Sequence, residues 1–205
     1  MAKKVLIVDD EQALNELFVI GLTKYGYIVQ GVLGGSEALL ALQVFHPDII
    51  LLDIMMEPMD GWETLSYIKA NQDYKDIPVI MQTGKNLTYK EAEQYCFDID
   101  YYLMKPVTPK NSIGIIDEIL RRKEFLQDLF SQSTTEQTKK DIEKVISLFK
   151  AIKVTEILQT LLDDRYNNQS MDSDENMYGA REFHEFRQRL QTEFDHLRNR
   201  IDLII

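Results

Sequence analysis

A single cysteine, Cys96, serves the whole 205-residue chain. That excludes an intramolecular disulfide and any multi-thiolate metal site, and it suits a reducing compartment in which the thiol is a small buried hydrophobe. No apolar run approaches the roughly 18 residues of a membrane span, and the N-terminal MAKKVLIV is too short an apolar stretch for a secretory leader. A soluble, cytoplasmic protein with no membrane contact is the expectation. Positive charge is scarce as well. Of the net charge of -11, residues 1–120 carry -9 (9 Lys/Arg against 18 Asp/Glu) and residues 121–205 carry -2 (14 against 16). Nucleic-acid binding usually shows a basic excess, so DNA binding finds no support in the charge. The length suits one ordinary core and a smaller second element.

What the chain does have is alternation. VLIVDD (5–10), YIVQGV (27–32), DIILLD (48–53), PVIMQT (78–83) and DYYLMK (100–105) have the length and the Val/Ile/Tyr content of strands. Several are apolar at nearly every position, as in parallel strands covered on both faces. Segments with helical spacing separate them, with Ser36 and Thr88 placed as N-caps and Thr108-Pro109 as a cap followed by Pro at the first helical position. Strand-helix alternation repeated in this way predicts an α/β fold with a doubly wound parallel sheet of five strands. In such sheets ligands sit outside the carboxyl ends of the strands.

The polar residues at those ends form a set. Asp9 and Asp10 close the first strand, Asp53 the third, Thr83 the fourth, and Lys105 follows the fifth. An acid such as Asp53 at the end of an apolar run needs a cation nearby or a place at the rim. Three carboxylates favour a hard divalent ion such as Mg²⁺. A phosphoryl group arriving at Asp53 would then meet metal, ammonium and hydroxyl around its oxygens, with Asp53 as nucleophile.

These residues bring a family into view. VDD at 8–10, Asp53 followed by MDG at 59–61, Thr83-Gly84 and Lys105-Pro106 resemble the receiver (CheY-like) domain of two-component response regulators, over roughly residues 3–122. The resemblance implies a flavodoxin-like fold with strand order 2-1-3-4-5 and phosphotransfer from a sensor histidine kinase to Asp53. It implies Mg²⁺ held by Asp10, Asp53 and the backbone carbonyl of Met55, with Asp9 orienting the metal and its waters. Thr83 and Lys105 would bind the phosphoryl group, and Tyr102 matches the switch aromatic, its ring turning inward once Thr83 moves. No enzymatic turnover is implied beyond autocatalytic phosphorylation and hydrolysis of the acyl phosphate. The wording MMEPMDGWETL and TGKNLTYKEAE resembles receivers of methanogenic archaea, a likeness of lineage without mechanism. One departure is Glu57 where many members have Pro, with Pro58 following. Met55 and Lys85 occupy the positions that tune hydrolysis in this family. Met55 as an apolar cover and Lys85 as an added cation would lengthen the phosphorylated state; the plainer alternative is that both point to solvent. Trp62 reads as packing or as an exposed loop aromatic rather than a site residue, and His46, His184 and His196 receive no role.

The division expected is a receiver at 1–122 and an all-α region at 123–205. Phe125, Leu126, Leu129 and Phe130 extend the fifth helix. Ser133 to Glu136 forms a capping box for a helix carrying Ile142, Val145, Phe149, Ile152, Ile157, Leu158 and Leu161. A polar loop follows at about 163–179, and then Phe183, Phe186, Leu190, Phe194, Leu197, Ile201 and Ile204 mark a long amphipathic helix. Such a stripe must be buried, in a helical pair or bundle or a coiled-coil homodimer. The leading reading is a signalling protein whose phosphorylation alters dimerisation or binding of a downstream protein partner. Two alternatives remain open: a transcription regulator binding DNA through this helical region, and a phosphate sink or carrier.

Overall fold

The computed structural model describes residues 2–85, 87–132, 135–168 and 174–202. In chain order the elements are β1 (Lys4–Val8), α1 (Gln12–Lys24), β2 (Ile28–Val32), α2 (Gly35–Phe45), β3 (Ile49–Leu52), α3 (Gly61–Ala70), β4 (Val79–Thr83), α4 (Tyr89–Tyr95), β5 (Tyr101–Met104), α5 (Pro109–Gln132), α6 (Glu136–Asn168) and α7 (Asp174–Asp202). The five strands form one parallel sheet in the order β2-β1-β3-β4-β5. The chain divides into two units, residues 1–85 with 101–122, and residues 86–100 with 123–205.

The first unit holds the sheet. One face packs Val5, Ile7, Ile49, Leu51 and Ile80 against Phe18 and Leu22 of α1 and Ile116, Ile119 and Leu120 of α5. Alternate residues such as Leu6, Ile50 and Leu52 point the other way and are equally buried, which is why the sequence is apolar without a period of two. Burying each of these side chains contributes about 1.5–3 kcal/mol. Register then sets the rim. Val8 pairs with Leu52 across β1 and β3, and Thr83 with Met104 across β4 and β5. Asp9 and Asp53 therefore leave the sheet side by side, and Lys105 emerges one residue beyond Thr83.

Helix starts follow local chemistry. Asp60 caps α3, its carboxylate accepting from the Glu63 amide at 2.8 Å. Thr88 caps α4 in a reciprocal box with Glu91, and Thr108 accepts from the Asn111 amide at 3.3 Å just before Pro109. Ser36 does not cap α2: the helix starts at Gly35 with Gly34 at the cap, and Glu37 instead accepts from the Leu33 amide. The reason is steric, because a Cβ on Gly35 would lie 2.1 Å from Thr64 Oγ1, and the glycine lets the helix begin one residue early.

The second unit consists of α4, α6, α7 and the end of α5. The Phe149 ring of α6 lies tilted 6.1 Å from that of Phe194 of α7, and Lys144 pairs with Glu193, so the two helices pack along each other. Leu148, Val154, Leu158 and Leu162 line one side of α6, and Phe183, Leu190 and Leu197 one side of α7, all buried. The Tyr89 ring of α4 sits 5.5 Å from that of Phe183, and Gly179 lets it approach, since a Cβ there would lie 3.2 Å from the Tyr89 ring. Lys150 of α6 pairs with Asp100 at 3.1 Å. By contacts, residues 86–100 group with the helices, where Tyr89 packs against Phe183 of α7. Of the loop expected at 163–179, residues 169–173 lie outside the described residues, and the flanking parts are helical. α6 continues to Asn168 and α7 begins at Asp174, since Asp, Asn and Gln lower helix propensity by only a few tenths of a kcal/mol each. Ser133 lies outside the described residues; Thr135 accepts from the Thr138 amide at 3.1 Å and caps α6.

Candidate functional site

Asp9, Asp10, Asp53, Thr83 and Lys105 meet at one rim of the sheet. Asp9 is 3% and Asp53 5% exposed, and Thr83 is fully buried. The Lys105 ammonium spans the two acids, 2.8 Å from Asp9 Oδ2 and 2.7 Å from Asp53 Oδ2. Each second carboxylate oxygen is held by a backbone amide two residues on: Glu11 N–H donates to Asp9 Oδ1 at 3.0 Å and Met55 N–H to Asp53 Oδ1 at 3.1 Å. Both carboxylates are thus aimed by short local turns.

Burial pushes the Asp9 carboxyl above its ordinary range, against the opposing pull of Lys105. Burial also acts to lower Lys105, but the bonds from Asp53 and Asp9 outweigh it and hold the ammonium above its usual value. Lys105 is therefore firmly charged. Asp10 is exposed and completes the cluster: one carboxylate oxygen each from Asp9, Asp10 and Asp53 lie within 4.8 Å of one another. Three hard oxygen donors fit a Mg²⁺ ion that keeps several waters. Among the described residues, His46, His184 and His196 do not join this group.

Gly61 shapes the approach to Asp53. A Cβ there would fall 2.1 Å from the Asp53 carbonyl oxygen and 2.7 Å from Ile54 Cα, so only glycine lets α3 start against the β3 exit. Trp62 beside it is buried in α3, as packing requires. Met55 is 61% exposed and Lys85 half-buried.

On the other side of the site, the Lys85 amide donates to Thr83 Oγ1 at 3.2 Å, and the Tyr102 hydroxyl donates to the Lys85 carbonyl at 2.5 Å. Tyr102 is 2% exposed. The ring lies inside, where the Lys85 carbonyl gives the buried hydroxyl a partner.

Sequence reasoning missed Asn15. Its amide nitrogen donates to the carbonyls of Asp9 at 3.2 Å and Val32 at 2.8 Å. The available signal was its spacing from Phe18 and Leu22, which places a polar residue on the core face of α1.

Comparison with known proteins agrees with this geometry. Residues 5–117 match the model of the response regulator receiver domain. The chain is 34% identical over 113 residues to Protein PilG of Pseudomonas aeruginosa, covering 55% of this chain and 84% of that protein. It is 33% identical over 125 residues to the alkaline phosphatase synthesis transcriptional regulatory protein PhoP of Bacillus subtilis, covering 61% of this chain but 51% of PhoP, about half that relative's length. Among solved structures, the N-terminal domain of a response regulator receiver protein from Methanoculleus marisnigri JR1 superposes with a TM-score of 0.50 at 43% identity, covering 58% of this chain and 98% of that domain. An Asp-Asp-Asp-Thr-Lys rim on a 2-1-3-4-5 sheet, joined to these likenesses, makes the chain a member of the response regulator receiver family.

Proposed function

We propose that Asp53 is the phosphoacceptor of a two-component phosphorelay and that its donor is the phosphohistidine of a sensor histidine kinase. An Asp53 carboxylate oxygen attacks phosphorus, the P–N bond to the donor histidine breaks, and the leaving imidazole takes a proton from solvent. The observation that carries this reading is the Lys105 ammonium bridging Asp53 and Asp9 beside Asp10. Lys105 is already in place to meet a phosphoryl oxygen on Asp53, and the buried Thr83 hydroxyl stands ready as a donor. Mg²⁺, held by Asp10, Asp53 and the Met55 carbonyl with Asp9 orienting its waters, would supply positive charge to the phosphoryl oxygens. When Thr83 turns its hydroxyl toward that group, the Lys85 amide loses its acceptor and the Lys85 carbonyl moves with it. Tyr102 registers the change through its hydrogen bond to that carbonyl.

The test is incubation with acetyl phosphate and Mg²⁺ followed by intact mass and peptide mapping. One phosphoryl group on Asp53, absent in Asp53→Asn, is expected; equal labelling of that variant overturns the reading. Met55 and Lys85 are proposed to slow hydrolysis of the acyl phosphate, and unchanged lifetimes in both Met55→Asn and Lys85→Glu would sink that part.

The output is proposed to pass to a downstream protein through the helical unit. Connectivity supports this: α4 begins just after the segment that leaves Thr83, and its Tyr89 packs on Phe183 of α7. Of the α7 stripe, Phe183, Leu190 and Leu197 are already buried against the chain's own helices, which favours a protein partner over a second copy as the receiver of the signal. Beryllofluoride, a phosphoryl mimic, is expected to change hydrogen exchange in α4, α6 and α7. Exchange unchanged in all three helices, with the mimic bound, would refute this route.

A further inference from the structure

We infer that Asn15 is a positioning residue for the acid cluster, fixing the peptide unit between Asp9 and Asp10 and through it the direction of the Asp10 carboxylate. The inference rests on the metal-site reading above. Asn15 is 4% exposed on the core face of α1, where Phe18 and Leu22 are its neighbours in spacing and an apolar side chain would be the simple choice. Instead its amide nitrogen binds two strand-end carbonyls, those of Asp9 and Val32. Val32 O also accepts the Asp9 amide at 3.2 Å. One side chain therefore ties together the carboxyl ends of β1 and β2.

Asp9 is held at every polar group. Its N–H goes to Val32, its carbonyl accepts from Asn15, Oδ1 accepts from Glu11 and Oδ2 meets Lys105. Asp10 is different: its side chain is exposed, so its direction follows from its backbone. The Asp9 carbonyl belongs to the peptide plane that leads into Asp10. Anchoring that oxygen sets the plane, and the plane sets where the Asp10 carboxylate starts.

Gly31 on β2 shows that the fold makes room for this amide. A Cβ on Gly31 would lie 1.9 Å from Asn15 Oδ1 and 2.9 Å from Val19 Cγ2. A leucine or alanine at 15 would leave the buried Asp9 carbonyl without this donor. Asn15 acts on the Asp9 backbone and not on a carboxylate, so its effect resembles that of other outer groups that orient ligands, whose loss weakens metal binding by about 10–100-fold.

The experiment is calorimetric titration of Mg²⁺ into the full chain and its variants Asn15→Ala and Asn15→Leu, with Gly31→Ala as an independent route that displaces the same amide from the opposite side. Leu120→Ala, in the core on α5, serves as a variant that loses stability without touching the rim. Each variant is titrated well below its own melting temperature. Folded Asn15 variants and Gly31→Ala are expected to bind Mg²⁺ about 10-fold more weakly, while Leu120→Ala melts earlier but binds as the unaltered protein does. If the unaltered protein takes up no Mg²⁺ in the millimolar range, the metal-site reading fails. If it binds and the Asn15 and Gly31 variants bind equally well, or Leu120→Ala weakens binding as much, the role of Asn15 is overturned.

Discussion

Replacing Lys105 by Met would remove the cation that bridges Asp9 and Asp53 while keeping much of the side chain's apolar stem. The two acids, almost fully buried, would then face each other with Asp10 beside them. Carboxylate oxygens no more than 4.8 Å apart repel with at least about 3.5 kcal/mol at an effective dielectric of about 20. Breaking a buried pair on one side costs about 3–5 kcal/mol in general, and these sites lie at a rim, so a loss of about 3 kcal/mol is expected near pH 7. The sign of the pH dependence follows. Burial already favours the protonated form of Asp9, and removing Lys105 favours it further. The deficit should therefore shrink as pH falls through the carboxylate range, and millimolar Mg²⁺ should restore part of the loss near pH 7. Urea unfolding at about pH 7 and about pH 4, with and without Mg²⁺, measures all three effects. A deficit below about 1 kcal/mol at neutral pH, or one equal at both pH values, would refute the view that Lys105 compensates a strained acid pair.

Gly61→Ala should destabilise by more than about 2 kcal/mol and slow phosphorylation, because its Cβ meets backbone on both Asp53 and Ile54; urea unfolding and acetyl phosphate kinetics report the two effects. Burial pushes the Cys96 thiol up to about 12 from an ordinary 9.0. Its contribution to stability is complete below pH 9 and is lost as pH rises toward 12, about 1 kcal/mol of it between roughly pH 9 and 10. Urea melts across that window should show the slope, and Cys96→Ala should flatten it. Lys150→Ala removes the half-buried ammonium 3.1 Å from Asp100 and should cost about 1–2 kcal/mol, with faster amide exchange in α6; a cycle with Asp100→Asn should show coupling above about 0.5 kcal/mol.

The sheet was legible because its strands are short, apolar and closed by polar residues at one end. Asp9, Asp53, Thr83 and Lys105 could be placed together without any contact being visible, since parallel strands bring every carboxyl end to one rim. Asn15 was hidden by its type: a polar residue in an amphipathic helix reads as surface unless its spacing from Phe18 and Leu22 is followed. The grouping of α4 was beyond local reading, because Tyr89 finds Phe183 across most of the second half of the chain. The 163–168 and 174–179 segments misled for a related reason. Their composition is that of a loop, but helix propensity differences are small and a long helical partner decides the matter. The bond from the buried Tyr102 hydroxyl to the Lys85 carbonyl is one that no sequence pattern announces.

The interleaving of α4 with the last helix also has a consequence in time. Strands β1 to β5 are all synthesised before residue 105, yet Tyr89 must wait for Phe183, about 90 residues later. At roughly 5–20 residues per second that interval is about 5–20 s. During it a nascent chain exposes the α4 face that the finished helical pair covers, so translation must reach α7 before the second unit can close.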